Sequence, residues 1–286
     1  MIVLTLFILL TVVALPSLNV SSISATRMCV IVLISASAVS YNASTSLAIG
    51  SGVSLYSDLI QVTSTSYIVD VLLGLVGAAA LTPWAPFSLV TNYHHWSSTS
   101  VFTLMPTNNY YSILAVFSVT GSSLLVSSAS LMFLYLSLEV QSFAVYVMAT
   151  LYRNSETATD AGLTYFLLGG LSSCFILLGS GQVYASLGVT NLEQIYVFIS
   201  AGESHVTTMV AFSLTVLASG LSFKIAAAPF HQWAPDVYDR VPTIVTAWLQ
   251  TMPKIAVLGL LIELTGGLTI SSKALVVDLP IGSVNA

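Results

Sequence analysis

Residues 109–151 form a run of 43 residues in which Glu139 is the one charged side chain. As a single straight α-helix, this run would be about 65 Å long, roughly twice the hydrocarbon thickness of a bilayer. A continuous helix of that length does not fit one membrane, so the run must fold back on itself. We expect the turn at the Ser-rich segment 127–130, which predicts two consecutive spanning helices.

The composition of the whole chain is that of a membrane protein. Of its 286 residues, 56% are hydrophobic and 6% are Asp, Glu, Lys or Arg. Charged residues make up roughly 25% of a typical soluble domain. The net charge of -5 comes from scattered residues, with neither a basic patch nor a run of like charges. These features exclude nucleic-acid binding and indicate an integral membrane protein surrounded by lipid.

Apolar segments of about 20 residues, the length that crosses a bilayer as a helix, recur along the chain. They predict an all-α polytopic transmembrane helix bundle with about eight spans. The expected helices lie at residues 1–20, 28–50, 66–83, 109–127, 130–151, 160–183, from 207 onward, and 242–266. Pro229 and Pro235 interrupt the seventh helix, so we expect this helix to be broken. A short C-terminal tail at 268–286 follows the eighth.

Three ionisable residues fall near the middle of predicted spans: Glu139 in the fifth helix, Lys224 in the seventh and Lys254 in the eighth. Insertion of one such residue at the centre of a membrane helix costs roughly 2.5–3.5 kcal/mol. These side chains are therefore expected to face protein or water rather than lipid. Two interpretations stay open: structural ion pairs that hold the bundle together, or groups along a proton or ion pathway.

Polar residues accompany these charges at helical spacing, which places them on common helix faces. One face of the fifth helix carries Tyr135, Glu139, Ser142 and Tyr146, and one face of the eighth carries Thr243, Thr246, Gln250 and Lys254. The second stripe stops at Lys254, halfway along its helix. It predicts either a half-channel that brings protons to this lysine or a polar surface that packs on neighbouring helices.

The seventh helix is expected to loosen near Lys224. Gly220 lies one turn before the lysine, and Pro229, five residues after it, cannot donate a backbone hydrogen bond. Broken helices within the membrane are typical of ion transporters, because unpaired backbone groups must lie beside protein or a water-filled cavity. A lysine amine at such a place can bind and release a proton, which an arginine guanidinium cannot.

The link between the seventh and eighth helices contains further polar residues. His231 is a candidate proton relay near neutral pH, although a hydrogen-bonded structural histidine fits the sequence equally well. Trp233 and Tyr238 are expected to anchor this link at the membrane surface.

No metal site is expected. His94 and His95 are adjacent in a loop, but neither Cys nor a carboxylate lies near them in sequence. Cys29 and Cys174 both lie in apolar segments, where we expect them to pack as small hydrophobic side chains rather than to form a disulfide.

Two segments of the chain resemble a known family. They are FKIAAAPFHQWAPDVYDRVPTIVTAWLQTMPKIAVLGLLIE at 223–263 and LYLSLEVQSFAVYVMATLYRNSETATDAGLTYFLLGGLSSCFILLGSGQVYASLG at 134–188. Both are similar to NADH dehydrogenase subunit 2 and its bacterial counterpart, complex I subunit N, which are antiporter-like membrane subunits. The order of a glutamate helix, a broken lysine helix and a second lysine helix agrees with this family. The resemblance is strong over residues 109–266.

The resemblance implies a proton-translocating membrane subunit of respiratory complex I, an NADH:ubiquinone oxidoreductase. In this family, a glutamate of the fifth helix pairs with a lysine at the break of the seventh, and a lysine of the eighth passes the proton on. The matching residues are Glu139, Lys224 and Lys254. No cofactor is expected in this chain, whereas FMN, iron–sulfur clusters and ubiquinone are expected in partner subunits.

The resemblance also implies how the chain is organised. An N-terminal three-helix region at 1–108 precedes an antiporter-like repeat of five helices at 109–267, and the tail at 268–286 follows. Family members usually carry a second, inverted set of five helices, whereas this chain ends after the first set. Either the chain is a fragment or, as we expect, the subunit is split and a separate partner chain carries the remaining helices.

The expected partners are the other membrane subunits of complex I, in the mitochondrial inner membrane or, alternatively, a bacterial plasma membrane. No Lys or Arg precedes the apolar residues 1–15, which predicts a retained first span rather than a cleaved leader. Two other functions stay open. One is a subunit of a multi-subunit cation/proton antiporter, and the other is a structural membrane subunit without its own proton path.

Overall fold

The structure, a computed structural model, describes residues 2–14, 22–46, 52–82, 110–152, 155–201 and 204–277. These residues are mostly helical, which confirms the all-α class. The helices are α1 Ile2–Ala14, α2 Ser22–Ser46, α3 Ser64–Leu81, α4 Tyr110–Val126, α5 Leu131–Thr150, α6 Glu156–Leu187, α7 Leu192–Ala201, α8 Ser204–Ile225, α9 Trp233–Arg240 and α10 Thr243–Val277. A short antiparallel hairpin precedes α3, in which β1 (Val53–Leu55) pairs with β2 (Ile60–Val62).

Six of the described helices are long and apolar enough to cross a membrane: α2, α3, α5, α6, α8 and α10. α4 is also apolar but has 17 residues, and α1 has 13. The eight expected spans therefore correspond to six helices of spanning length and two shorter ones. Residues 15–20, expected in the same helix as α1, lie outside the described residues.

The turn expected at 127–130 is confirmed. It separates α4 from α5, and Ser130 caps α5 by accepting a hydrogen bond from the backbone N–H of Phe133 at 3.3 Å. The hairpin holds this turn, since the backbone N–H of Gln61 in β2 donates to the Ser127 carbonyl at 2.9 Å. The turn is thus fixed both by its own cap and by a strand from the N-terminal region.

The helices pack pairwise around an apolar core. α6 lies against α8, α2 against α3, and α4 against α5, while α10 contacts both α3 and α4. Trp248 of α10 is fully buried at the centre of the bundle, and its indole N–H donates to the Ser118 hydroxyl of α4 at 2.8 Å. This contact fixes α10 against the first helix of the predicted repeat.

Gly220 lies inside α8, where the helix is continuous. A methyl group at this position would lie 2.6 Å from Ile176 Cγ1 and 2.9 Å from the Ser172 carbonyl oxygen, both in α6. These distances are shorter than van der Waals contact, so the glycine allows α6 and α8 to approach closely. Gly220 itself does not interrupt the helix, which ends at Ile225, close to Lys224 as expected.

α6 is longer at both ends than the expected 160–183. The charged segment before it is partly helical, because the Ser155 hydroxyl caps the helix by accepting a hydrogen bond from the backbone N–H of Ala158 at 3.3 Å. Gly188 ends the helix with a φ of 73°, which glycine adopts without strain.

Two further boundaries differ from the prediction. α10 continues to Val277, so residues 268–277, expected in the C-terminal tail, are helical. The segment between the sixth and seventh predicted spans, for which no helix was predicted, contains the ten-residue helix α7. Its Ile195 is buried, which shows that this segment packs on the bundle.

Candidate functional site

Lys224 lies in the last turn of α8, so the expected break comes directly after it. Ala226 has a φ of 61°, in the left-handed region that a right-handed helix excludes. The backbone N–H of Ala227 bonds to the Ser222 carbonyl at 2.9 Å, and Pro229 has no N–H to continue the helix. The broken helix is thus confirmed, with the lysine at its end rather than near its middle.

The Lys224 ammonium contacts two side chains of α5. Its Nζ donates a hydrogen bond to the Ser142 hydroxyl at 2.7 Å and lies 3.8 Å from Glu139 Oε1. The Ser142 hydroxyl donates its own proton to the Leu138 carbonyl at 2.6 Å, so it can only accept from the lysine. The side chains of Lys224 and Glu139 are 9% and 18% exposed. The structure therefore brings together two of the three charges that the sequence singled out.

The geometry of this pair leaves Glu139 incompletely satisfied. Its Oε1 is buried and has no hydrogen-bond donor within range among the described residues. At 3.8 Å the ammonium attracts the carboxylate electrostatically but does not form a hydrogen bond with it. A buried acceptor without a donor costs free energy. A water molecule, a proton or a closer approach of the ammonium would each remove that cost.

A cavity of about 20 Å³ lies beside the lysine. This volume is enough for one water molecule. Lys224 and Ser142 supply polar atoms to its lining, and Tyr146, Tyr165 and Trp233 supply aromatic rings. A water molecule in this cavity would lie beside the Lys224 ammonium and would have hydrogen-bonding partners there. Such a water could accept a proton from the lysine.

Gly169 of α6 leaves space for the side chain of Tyr146, which forms one wall of the cavity. A methyl group at this position would overlap the hydroxyl of Tyr146. Tyr146 also packs edge-on against Tyr165, with 4.9 Å between the ring centroids. α6 therefore helps to shape the cavity, which the sequence did not reveal.

Trp233 is 6% exposed, so the expectation that it anchors the link at the membrane surface is wrong. Its indole stacks on Tyr165 and on Phe223, with centroid distances of 5.2 Å and 5.8 Å. Its Nε1 donates to the Phe223 carbonyl at 3.2 Å. This carbonyl in the last turn of α8 also accepts a hydrogen bond from the backbone N–H of Ala226 at 3.0 Å, so the indole is its second donor. Trp233 thus walls the cavity and fixes the end of α8.

Lys254 lies in a different environment. Its ammonium is 5.5 Å from the centre of the Tyr238 ring, a cation–π contact. Tyr238 is half-buried under it rather than a surface anchor, and burial raises the pKa of its phenol to about 12, so it stays neutral at physiological pH. Trp233 packs edge-on against Tyr238 at 5.8 Å. Pro253 and Val257 line the cavity and Lys254 does not, so Lys254 lies outside the cavity that Lys224 lines.

The polar stripe of α10 is only partly buried. Thr246 is 9% exposed, and its hydroxyl lies 3.1–3.3 Å from three carbonyl oxygens of residues 238–242. Thr243 and Gln250 are exposed. Thr246 therefore binds the end of α9, and this stripe does not line the cavity.

The remaining candidate residues lie away from the pair. His231 is exposed in the turn before α9 and outside the lining of the cavity. His94 and His95 fall outside the described residues. Cys29 is buried as expected, whereas Cys174 faces outward from α6, so the packing expected for Cys174 is wrong. No cluster of three or more His, Cys, Asp or Glu that could hold a metal ion occurs in the described part of the chain.

Comparison with known proteins gives related sequences. Residues 128–277, about half of the chain, match the family described as NADH:quinone oxidoreductase/Mrp antiporter, TM. The chain is 45% identical over 258 residues to NADH-ubiquinone oxidoreductase chain 2 of Rhizopus oryzae, which covers 89% of this chain and 49% of that protein. It is also 45% identical over 151 residues to NADH-quinone oxidoreductase subunit N of Rhodobacter capsulatus, covering 53% of this chain and 31% of that one.

A solved structure has a similar fold. A chain of respiratory complex I from Thermus thermophilus with bound aureothin aligns with a TM-score of 0.70 at 25% identity, covering 92% of this chain and 53% of that chain. The present chain thus spans about half the length of the relatives it matches, or less. Glu139, Lys224 and Lys254 all lie within the matched residues 128–277. The chain therefore belongs to the NADH:quinone oxidoreductase/Mrp antiporter transmembrane family.

Proposed function

We propose that this chain is a proton-translocating membrane subunit of an NADH:quinone oxidoreductase, and that Lys224 changes its protonation during turnover. The observation that carries the proposal is the buried Lys224–Glu139 pair at the end of a broken helix, beside a cavity with room for one water. The names of the similar proteins support the same function, since they are subunits of such oxidoreductases.

In this proposal, Glu139 determines whether Lys224 holds its proton. Two unit charges about 4 Å apart attract each other by about 4 kcal/mol at the effective dielectric typical near a protein surface. Protonation of Glu139, or movement of the ammonium away from it, removes that attraction and leaves a buried ammonium supported by Ser142. The buried ammonium then releases its proton to water in the cavity. Return of the carboxylate charge draws the next proton onto the amine.

Lys254 is the second proton carrier in the proposal, and His231 is a candidate relay outside the cavity. A cation–π contact such as that of Lys254 with Tyr238 contributes about 0.5–2 kcal/mol. This is less than the attraction of a close carboxylate, and it holds the Lys254 ammonium over the Tyr238 ring. Because Lys254 does not line the cavity, a proton that passes to it from Lys224 has to leave the cavity, which requires further water.

The redox chemistry belongs to partner subunits in this proposal, and FMN, iron–sulfur clusters and ubiquinone are bound there. The partners are the other membrane subunits of the complex. A separate chain that carries the helices of the uncovered half of the relatives is a further proposed partner. The proposed location is the mitochondrial inner membrane, as the chain 2 relative suggests, with a bacterial plasma membrane as the alternative.

Glu139→Gln tests the proposal, because it removes the carboxylate charge and keeps the size of the side chain. We expect NADH-driven proton pumping in liposomes, measured per amount of assembled complex, to fall severalfold. Glu156→Gln is the matched control, since it removes an exposed carboxylate from the first turn of α6. The control should pump like the wild type.

Two outcomes contradict the proposal. Normal pumping by the Glu139→Gln complex would show that the carboxylate does not control proton transfer. Loss of assembly in this variant and also in the double variant Glu139→Gln with Lys224→Met, which leaves no unpaired charge, would favour the structural alternative, in which the pair only holds α5 and α8 together.

A cation/proton antiporter subunit is the second candidate, because the matched family includes Mrp antiporters. Mass spectrometry of the native complex purified through this chain separates the two. NADH oxidoreductase subunits among the partners support the first function, and the same data show whether another chain supplies further helices. Sodium-dependent proton exchange in a complex without those subunits supports the second.

A further inference from the structure

A second cavity lies among α1, α2, α3 and α4, outside the residues that match the family. Its volume is about 80 Å³, several times that of the cavity beside Lys224. The polar side chains that line it all carry oxygen, and they are Asp70 of α3, Ser37 and Ser40 of α2, and Ser123 of α4. We name it the Asp70 cavity. Its volume exceeds what one water molecule needs.

Asp70 brings a carboxylate into this cavity, and the described residues supply no counter-charge to it. Its Oδ1 is buried and has no hydrogen-bond donor in range among the described residues, and it takes part in none of their ion pairs. The described residues of α1 and α4 contain no Lys, Arg or His, and α2 contains Arg27 alone. Arg27 is exposed and lies ten residues before Ser37, about 15 Å away along the helix.

Among the side chains of α10 that the structure describes, the charged ones are Lys254 and Glu263, and both contact other groups. Lys254 contacts the ring of Tyr238. Glu263 accepts hydrogen bonds from the hydroxyls of Thr63 and Thr65 at the start of α3, four or more residues before Asp70. Neither group neutralises the Asp70 carboxylate.

Two of the three serine hydroxyls that line the cavity act as acceptors toward it. Ser37 donates its proton to the Ile34 carbonyl at 2.7 Å, and Ser123 donates to the Thr120 carbonyl at 3.1 Å. A hydroxyl has one proton, so these two oxygens offer lone pairs to any ligand in the cavity. Gly74, one turn after Asp70, keeps α2 close, since a methyl group there would lie 2.9 Å from Ser37 Cβ.

A half-buried carboxylate whose Oδ1 is fully buried and lies beside acceptor oxygens favours a ligand that carries positive charge. One positive charge neutralises it, whereas a divalent ion would leave an uncompensated positive charge in the low dielectric of the membrane. Oxygen atoms are the ligands that small hard cations prefer. We propose that the Asp70 cavity binds one small monovalent cation, a proton or a sodium ion, on the Asp70 carboxylate, with Ser37 and Ser123 as further oxygen ligands.

Asp70→Asn in the purified native complex tests the site, with Asp58→Asn as the matched control, since Asp58 is exposed in the hairpin turn. In the first arm, equilibrium binding of radioactive sodium should show one ion fewer per complex in Asp70→Asn than in the wild type and the control. In the second arm, infrared spectra of sodium-free complex should show the C=O stretch of a protonated carboxyl that Asp70→Asn lacks. A difference in the first arm identifies the cation as sodium, and a difference in the second identifies it as a proton. No difference in either arm would overturn the proposal.

Ser37→Ala provides a second test that does not depend on the assembly of Asp70→Asn. The Ser37 hydroxyl bonds within its own helix, and alanine is a strong helix former, so α2 should keep its fold. Loss of one ligand oxygen should weaken sodium binding severalfold or, in the proton case, shift the frequency of the carboxyl band. A sodium affinity and a band that both match the wild type would contradict the site.

Discussion

Replacing Lys224 with methionine is expected to abolish NADH-driven proton pumping by the complex that contains this chain. Methionine keeps most of the apolar stem of the lysine but removes the ammonium that bonds Ser142 and lies 3.8 Å from Glu139. No other ion pair of Glu139 occurs in the described part of the chain, so no neighbouring group takes over. Proton pumping in liposomes, measured beside NADH oxidation, provides the test.

Two further variants separate proton transfer from structural support. Removal of one partner of a buried ion pair costs about 3–5 kcal/mol, so Lys224→Met alone can reduce assembly. The double variant Glu139→Gln with Lys224→Met removes both charges, and it should assemble without pumping. Lys224→Arg keeps the positive charge opposite Glu139 but cannot release a proton, so it should also assemble without pumping. Normal pumping by Lys224→Arg would rule out a proton-carrying role for this residue.

Gly169→Ala is expected to have the second-largest effect. The added methyl group would overlap the Tyr146 hydroxyl, which must move together with the ring that packs on Tyr165. Overpacking of a well-packed site typically costs about 1–3 kcal/mol. We therefore expect a lower thermal stability of the complex in detergent and a reduced pumping rate, because Tyr146 forms a wall of the cavity beside Lys224.

The neighbouring glycine provides the matched control. A methyl group at Gly170 would meet no atom within 4 Å in this structure. Alanine is also favoured over glycine inside a helix by about 1 kcal/mol. Gly170→Ala should thus be neutral or slightly stabilising and should pump normally. Equal effects of the two substitutions would show that the close contact between Gly169 and Tyr146 does not matter.

Hydropathy predicts most of the fold because lipid imposes a minimum helix length. The turn at 127–130 follows from length alone, since a 43-residue run exceeds one bilayer. The predicted helices agree with the described ones except at some of their ends. The ends of α6 depend on the Ser155 cap and on Gly188, whose effects are local and do not change hydropathy. The prediction missed α7 because its ten residues are fewer than the roughly 20 apolar residues that identify a membrane-spanning helix.

The site could be predicted in part. Helical spacing places Glu139, Ser142 and Tyr146 on one face, and Ser142 and Glu139 do meet Lys224. The proline in the link predicts the break of α8. The roles of these charges in proton transfer stay predictions.

The aromatic part of the site could not be predicted from local sequence. Trp233 and Tyr238 follow a helix break in a polar segment, which is typical of surface anchors. Their burial depends on α6, about 70 residues earlier, where Tyr165 stacks on the indole. The same holds for Gly220, whose partner carbonyl belongs to Ser172. The spacing of residues along a single helix does not predict contacts of this kind with distant segments of the chain.

The indole of Trp233 determines how Lys224 can move. Because the indole N–H binds the Phe223 carbonyl, the backbone at the end of α8 is held on the residue next to the lysine. The ammonium can then change its distance from Glu139 by rotation about the bonds of its own flexible stem, without a hinge motion of the helix. Side-chain rotations are faster than collective helix movements, which take microseconds to milliseconds. The rate of proton transfer at Lys224 would then depend on the charge of Glu139 and on the supply of water. It would not depend on a movement of α8 as a whole.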